Sequence, residues 1–144
     1  MKVAIGADHG GFELKEKIKD LLTEQGYTFE DFGTHSNESC DYNDAGKAVA
    51  TAVAENKVDR GILICGTGIG MNIQANKIKG VRAALVHDLF SAEATRLHND
   101  SNVLTMGGRI IGDELAKAIV KTWLKTEFSN EARHKRRVSR LESE

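Results

Sequence analysis

Gly61-Ile62-Leu63-Ile64-Cys65-Gly66-Thr67-Gly68-Ile69-Gly70 is the stretch on which the fold turns. Three aliphatic residues and a cysteine in a row predict a strand buried on both faces, as central strands of parallel sheets are. Glycines at alternate positions then let the backbone turn tightly and approach a ligand. Met71 to Asn76 carries no breaker and predicts the start of a helix. The unit is therefore strand, glycine loop, helix N-terminus, with a thiol at the end of the strand. Backbone N–H groups of such a loop attract anions. The positive end of the helix dipole favours thiolate over thiol. Together these suit a site that moves a proton beside a developing negative charge.

Outward from this unit the pattern repeats. Val3 to Ala7 predicts a buried strand, followed by Asp8-His9-Gly10-Gly11. Leu14, Ile18, Leu21 and Leu22 form the apolar stripe of a helix that Gly26 ends, with Glu13 and Lys17 spaced for a surface ion pair. Tyr27 to Phe32 predicts a second strand. After the polar segment 33–43, Ala45, Ala48, Val49, Ala52 and Val53 mark a helix, with Asp41 or Asn43 as its cap. Beyond the glycine loop, Val81 to Val86 predicts a fourth strand. Phe90, Ala94 and Leu97 mark a helix ending at His98-Asn99-Asp100. Asn102 to Met106 predicts a fifth strand, followed by Gly107-Gly108-Arg109, and Leu115, Ile119 and Trp123 mark a long helix. Five alternations of strand and helix predict an α/β fold with a parallel sheet between helical layers. Ligands of such sheets bind beyond the carboxyl ends of the strands.

The chain has 144 residues, a net charge of −1, two cysteines and no proline. That length fits one core. The charge gives no overall field for nucleic acid or a membrane surface. Cys40 and Cys65 make neither a CxxC pair nor a disulfide framework. The opening MKVAIGAD is not followed by the apolar segment of a signal peptide, so a cytoplasmic location is expected. Residues 1–128 are expected to form the α/β domain. Residues 129–144 form a basic tail expected to pack on or near a site, its own or a partner's.

Each candidate motif has more than one reading. The glycine loop is not a dinucleotide fingerprint, because Met71 stands where G-x-G-x-x-G needs its third glycine. Asp88 does lie where the ribose-binding acid of that motif would stand. Cys65 is either a reactive thiol or a small buried hydrophobe. Asp8-His9 is either an acid–base pair or the cap of the first helix. His98 is either a site residue or a solvated imidazole at a helix end. Arg133 and Arg137 would share a helix face and suit a phosphate monoester, against a solvated tail or a weak nucleic-acid patch. The five histidines show no metal-ligand spacing. A non-catalytic nucleotide-binding module and a basic-tail interaction protein are the alternatives of other classes.

Several of these segments occur in order as a recognisable set: Ala7-Asp8-His9-Gly10-Gly11, Ser39-Cys40-Asp41-Tyr42, the loop 61–70, Ala75-Asn76-Lys77, Arg96 to Leu104, Gly108-Arg109, Arg133-His134 and Arg137-Val138. On them the chain resembles the family of ribose-5-phosphate isomerase B and galactose-6-phosphate isomerase. It departs from the family pattern at Asn43, usually proline, and at Ser129-Asn130-Glu131-Ala132, where Glu-Gly-Gly is usual.

The resemblance implies a three-layer, Rossmann-like α/β/α sandwich with a five-stranded parallel sheet. It implies a homodimer or homotetramer with active sites shared between subunits. It implies interconversion of ribose 5-phosphate and ribulose 5-phosphate through a cis-enediolate, without metal or other cofactor. Galactose 6-phosphate and allose 6-phosphate are the alternative substrates; no nucleic-acid or membrane partner is expected. Cys65 would be the base between C2 and C1. The amides of Gly66, Gly68, Ile69 and Gly70 would hold the enediolate. Thr67 and Asp8 would bond the migrating oxygens, His98 would open the ring, and Asn99 would steady that end of the sugar. His9, Arg109, Arg133 and Arg137 would bind the phosphate or the sugar end, some from the neighbouring subunit.

Overall fold

A computed structural model describes all 144 residues. The strands are β1 (Lys2–Ala7), β2 (Thr28–Asp31), β3 (Arg60–Cys65), β4 (Ala83–Leu85) and β5 (Val103–Gly107). The helices are α1 (Phe12–Glu24), α2 (Tyr42–Ala54), α3 (Ile69–Asn76), α4 (Leu89–Asn99), α5 (Asp113–Lys125) and α6 (Ala132–Ser143). All strand pairs are parallel, in the order β2-β1-β3-β5-β4. This is the expected three-layer α/β/α sandwich. The chain leaves β1 toward β2 on one side and returns to β3 on the other. The crevice of the sheet therefore opens between the carboxyl ends of β1 and β3.

Side chains of β3 alternate between the layers. Ile62 and Ile64 face the core under α1 and α5, with Leu14, Ile18, Leu22, Ile119 and Trp123. Leu63 and Cys65 face the core under α2 and α3, with Val49, Val53, Met71 and Ala75. The run is apolar throughout because both faces are covered.

Several local expectations differ from the structure. Strand β4 is only three residues long. Asn76 on α3 pairs with it through its side chain: its Oδ1 accepts from Ala83 N–H at 2.8 Å and its Nδ2 donates to Ala83 C=O at 3.1 Å. Lys17 pairs with Asp113 on α5 at 2.5 Å, not with Glu13. Asp41 is the residue before α2, but its side chain makes no capping bond. The largest departure is α4. The stripe Phe90, Ala94, Leu97 is not its inner face; Phe90 is 81% exposed, and the buried residues are Ala92, Thr95 and Arg96. A polar inner face is tolerated because Arg96 is well paired: its Nε donates to Thr126 C=O, and its Nη1 donates to Ser101 C=O and the Asp100 carboxylate. Beside it, Arg60 donates to the last carbonyls of α5, at Trp123 and Leu124, and lies over the Trp123 ring. No helix is long and apolar enough to cross a membrane.

Lys15 is completely buried and meets both carboxylate oxygens of Asp31 at 2.7 Å, with Lys19 adding a third contact at 2.9 Å. Partial burial alone would raise the Asp31 pKa. The two ammonium groups and the Gly33 N–H outweigh it and hold the pKa at about 2, against an ordinary 3.8. A depressed carboxylate pKa stabilises the fold fully above the unfolded value, and this is lost as pH falls through the folded one. Urea denaturation is expected to show about 2 kcal/mol of stability disappearing between about pH 4 and pH 2. Asp31→Asn should lack that acid step. It should be less stable at pH 7 by about 3–5 kcal/mol, because the buried ammonium loses its counter-charge.

Candidate active site

Three loops meet at the carboxyl edge of the sheet. After β1, Asp8 turns back on its own loop, its Oδ1 accepting from Gly10 N–H at 2.8 Å and Gly11 N–H at 3.2 Å. It thus does part of the work of a helix cap, since Gly11 itself provides none to α1. His9 Nδ1 accepts from the Cys40 N–H at 3.2 Å. A ring nitrogen that accepts carries no proton, so in the neutral ring Nε2 is the donor. The polar turn around Cys40 therefore fixes the tautomer of a candidate site residue.

After β3, the Gly68 N–H donates to Cys65 Sγ at 3.1 Å, and the Ile69 N–H donates to Thr67 Oγ1 at 3.2 Å. Cys65 is 5% exposed and borders the α2 core. Gly68 has φ +79°, and a Cβ there would come within 2.6 Å of Leu85 and 2.7 Å of the Met106 main chain. Two of the loop amides are thus committed inside the loop. Those of Gly66, Thr67 and Gly70 carry no hydrogen bond within the chain and remain for an anion.

After β5, Gly108 N–H donates to Cys65 C=O at 2.8 Å and Arg109 N–H donates to Gly66 C=O at 3.0 Å. The Arg109 guanidinium lies against Gly66. His87, which sequence inspection did not single out, accepts from Gly107 N–H through Nε2 at 2.9 Å. Burial pushes its pKa below the ordinary range, with Asp88 opposing. Asp88 itself accepts from Ser91 N–H at 2.7 Å as the cap of α4, a role that needs no ribose hydroxyl to explain it. His9, Gly10, Gly108 and Arg109 line one recess of about 270 Å³.

The remaining candidates lie elsewhere. Helix α4 starts beyond β4 and runs back to feed β5, so its last turn sits at the amino edge of the sheet. Its 11 residues span about 16 Å at 1.5 Å each. His98 and Asn99 therefore stand at the opposite edge from Cys65. There they line a separate recess of about 380 Å³ with Arg133, His134 and Arg137 of α6. Arg133 meets Glu131, whereas Arg109 and Arg137 are in no salt bridge. No three His, Cys, Asp or Glu side chains are grouped so as to hold a metal ion. One chain thus presents two separate clusters, one at each edge of the sheet: a thiol with free amides, and an imidazole with arginines.

Comparison with known proteins gives a consistent picture. The family model described as ribose/galactose isomerase matches residues 3–141. The chain is 48% identical to ribose-5-phosphate isomerase B of Escherichia coli, over 97% of this chain and 93% of that one. It is 45% identical to D-erythrulose-4-phosphate isomerase of Pectobacterium atrosepticum, over 89% and 85%. The solved structure of Clostridium thermocellum ribose-5-phosphate isomerase B superposes with a TM-score of 0.97 at 51% identity, over 99% and 96% of the two chains.

The glycine loop yields its own test. Gly26 and Gly68 share nearly the same φ, +78° and +79°, but nothing lies within 4 Å of a Cβ at Gly26. Gly26→Ala should therefore cost only the left-handed backbone strain, about 1–2 kcal/mol. Gly68→Ala adds a clash with the main chain and should cost about 2–4 kcal/mol. Parallel denaturant titrations of the two variants measure the difference.

Proposed function

The chain belongs to the ribose/galactose isomerase family, and from that membership we propose that it interconverts ribose 5-phosphate and ribulose 5-phosphate. Sugar-phosphate isomerisation is the activity that the family supports. The pentose and the mechanism below are the finer reading. The observation that carries it is the Cys65 thiol, held by one loop amide and surrounded by others that remain free.

A proton on carbon next to a carbonyl is removed only by a well-placed base, with a fixed donor for the oxyanion that forms. Cys65 Sγ is the base: it takes the C2 proton and returns it to C1. The base is the sulfur in its thiolate form; the bond it accepts from Gly68 N–H is strongest in that form and weakens as the C2 proton arrives. The free N–H groups of Gly66, Thr67 and Gly70 bind the enediolate oxygens. The Thr67 hydroxyl, already accepting from Ile69, keeps its proton to donate. Asp8 holds the first loop in shape and takes part at the hydroxyl end. The phosphate lies toward His9 Nε2–H and Arg109, and its binding energy orients the reacting carbons.

Ring opening comes from the other half-site: His98 transfers a proton to the ring oxygen, Asn99 steadies the sugar, and Arg133 and Arg137 reach the phosphate. Since His98 and Cys65 stand at opposite edges of one sheet, the two halves come from different subunits. The tail 129–144 then serves the partner's site. An apolar rim beside the glycine loop supports such a contact. Ile69 and Ile73 on α3, Leu85 at the end of β4, and Leu89 and Phe90 at the start of α4 are all exposed. A two-fold dimer would bury this rim and complete two equivalent sites.

Cys65→Ala is expected to lower turnover by about 10³-fold while sugar-phosphate binding persists. Retained turnover would remove Cys65 as the base. Mixing inactive Cys65→Ala and His98→Asn proteins, with subunit exchange, should restore about a quarter of wild-type activity, because half of the dimers are hybrids with one intact site of two. No recovery would mean that both halves act within one chain. Side-by-side assays on pentose, hexose and tetrose phosphates, the last suggested by the Pectobacterium relative, decide the substrate.

A further inference from the structure

We propose that His134, gripped by the Ser129 hydroxyl, is a positioning residue that fixes the His98 imidazole for ring opening; this rests on the role given to His98 above. His98 sits exposed in the last turn of α4, and its side chain makes no hydrogen bond. What it does touch is the ring of His134, with centroids 4.7 Å apart and planes tilted by 42°. That separation lies within the range of paired aromatic rings.

His134 is the one buried residue of α6. Its Nδ1 lies 2.6 Å from Ser129 Oγ. The Glu131 N–H donates to the same oxygen at 3.2 Å, which leaves the hydroxyl proton free to be given to Nδ1. The Ser129 N–H donates to Leu97 C=O at 3.2 Å, next to His98 itself. Leu97, Ser129, His134 and His98 thus form a closed ring of contacts from α4 through the tail and back.

Charge fits the same assignment. Burial, then Arg133, His98 and Arg137, push the His134 pKa below the ordinary range. At neutral pH the supporting ring is therefore uncharged, as an Nδ1 that accepts a hydroxyl proton must be. It braces His98 without adding another cation beside two arginines.

In ring opening the anomeric hydroxyl gives its proton to solvent, the electron pair of that O–H bond makes the C1 carbonyl, the bond from C1 to the ring oxygen breaks, and the departing oxygen takes a proton from His98, which regains one from solvent. The acid must point at that oxygen, and a misplacement of about 1 Å can cost on the order of 100-fold. Erythrose 4-phosphate needs no such step, because its 4-oxygen is esterified and cannot close a five-membered ring. Ser129→Ala and His134→Asn are therefore expected to lower kcat on ribose 5-phosphate by about ten- to a hundredfold with little change in KM. Ser129→Thr, which keeps the hydroxyl, should restore it. Turnover of erythrose 4-phosphate and inhibition by ribitol 5-phosphate, a pentitol that cannot cyclise, should stay within about twofold in Ser129→Ala. Equal losses on both substrates, a shifted ribitol 5-phosphate inhibition constant, or undiminished ribose 5-phosphate turnover would each overturn the proposal. His98→Asn in the same assay separates the premise: full ribose 5-phosphate turnover in that variant would remove His98 from ring opening altogether.

Discussion

At the carboxyl ends of β1, β3 and β5, three loops pack main chain on main chain, with no side chain between them. A Cβ on Gly11 would lie 2.2 Å from Ile64 C=O, one on Gly107 2.7 Å from the Thr67 backbone, and one on Gly108 2.7 Å from Gly10 C=O. Hydrogen bonds lace the same loops together, from Asp8 to Ile64, from Gly108 to Cys65 and from Arg109 to Gly66. Most of the proposed chemistry at this edge depends on that closeness. It brings Arg109 over Gly66 and holds the Cys65 sulfur against Gly68. It also leaves the other loop amides unpartnered, at an edge where polar groups would otherwise seek one another.

The opposite edge is built on another principle. There the chain buries guanidinium groups and pairs them with carbonyls. Arg60 closes the end of α5, and Arg96 ties α4 to the segments on either side of it. Burial, and the proximity of Arg96, lower the Arg60 pKa to about 10. Trp123, beneath Arg60, gives its indole N–H to Ser101 at 2.9 Å. This network anchors the turn from which His98 and Asn99 project. One edge is shaped by the absence of side chains, the other by long ones paired with carbonyls.

Much of this is legible in the amino-acid sequence. The β3 run and the stripes of α1 and α2 are readable because period and burial coincide. Helix α4 differs from its apolar period for a definite reason. Phe90 faces outward, while Thr95 and Arg96 turn inward, Arg96 onto Thr126 of a distant segment and onto the neighbouring Asp100 and Ser101, so periodicity points to the wrong face. The edge of the sheet on which His98 stands depends on the direction of α4, not on residue spacing. The committed amides of Gly68 and Ile69, the grip of Cys40 on His9, and the support of His87 under Gly107 are contacts between loops or within a turn. Residue types alone do not encode them.

The pairing of Asn76 with Ala83 bears on how copies of this molecule can meet. An open outer strand normally offers a row of amide and carbonyl groups on which a foreign strand can template itself. Here that strand is three residues long, and a side-chain amide occupies both main-chain groups of its first residue. Continuation of the sheet from one molecule into the next is therefore disfavoured along this border. It offers a foreign strand little main chain to align on, and so resists the runaway stacking that seeds fibrils.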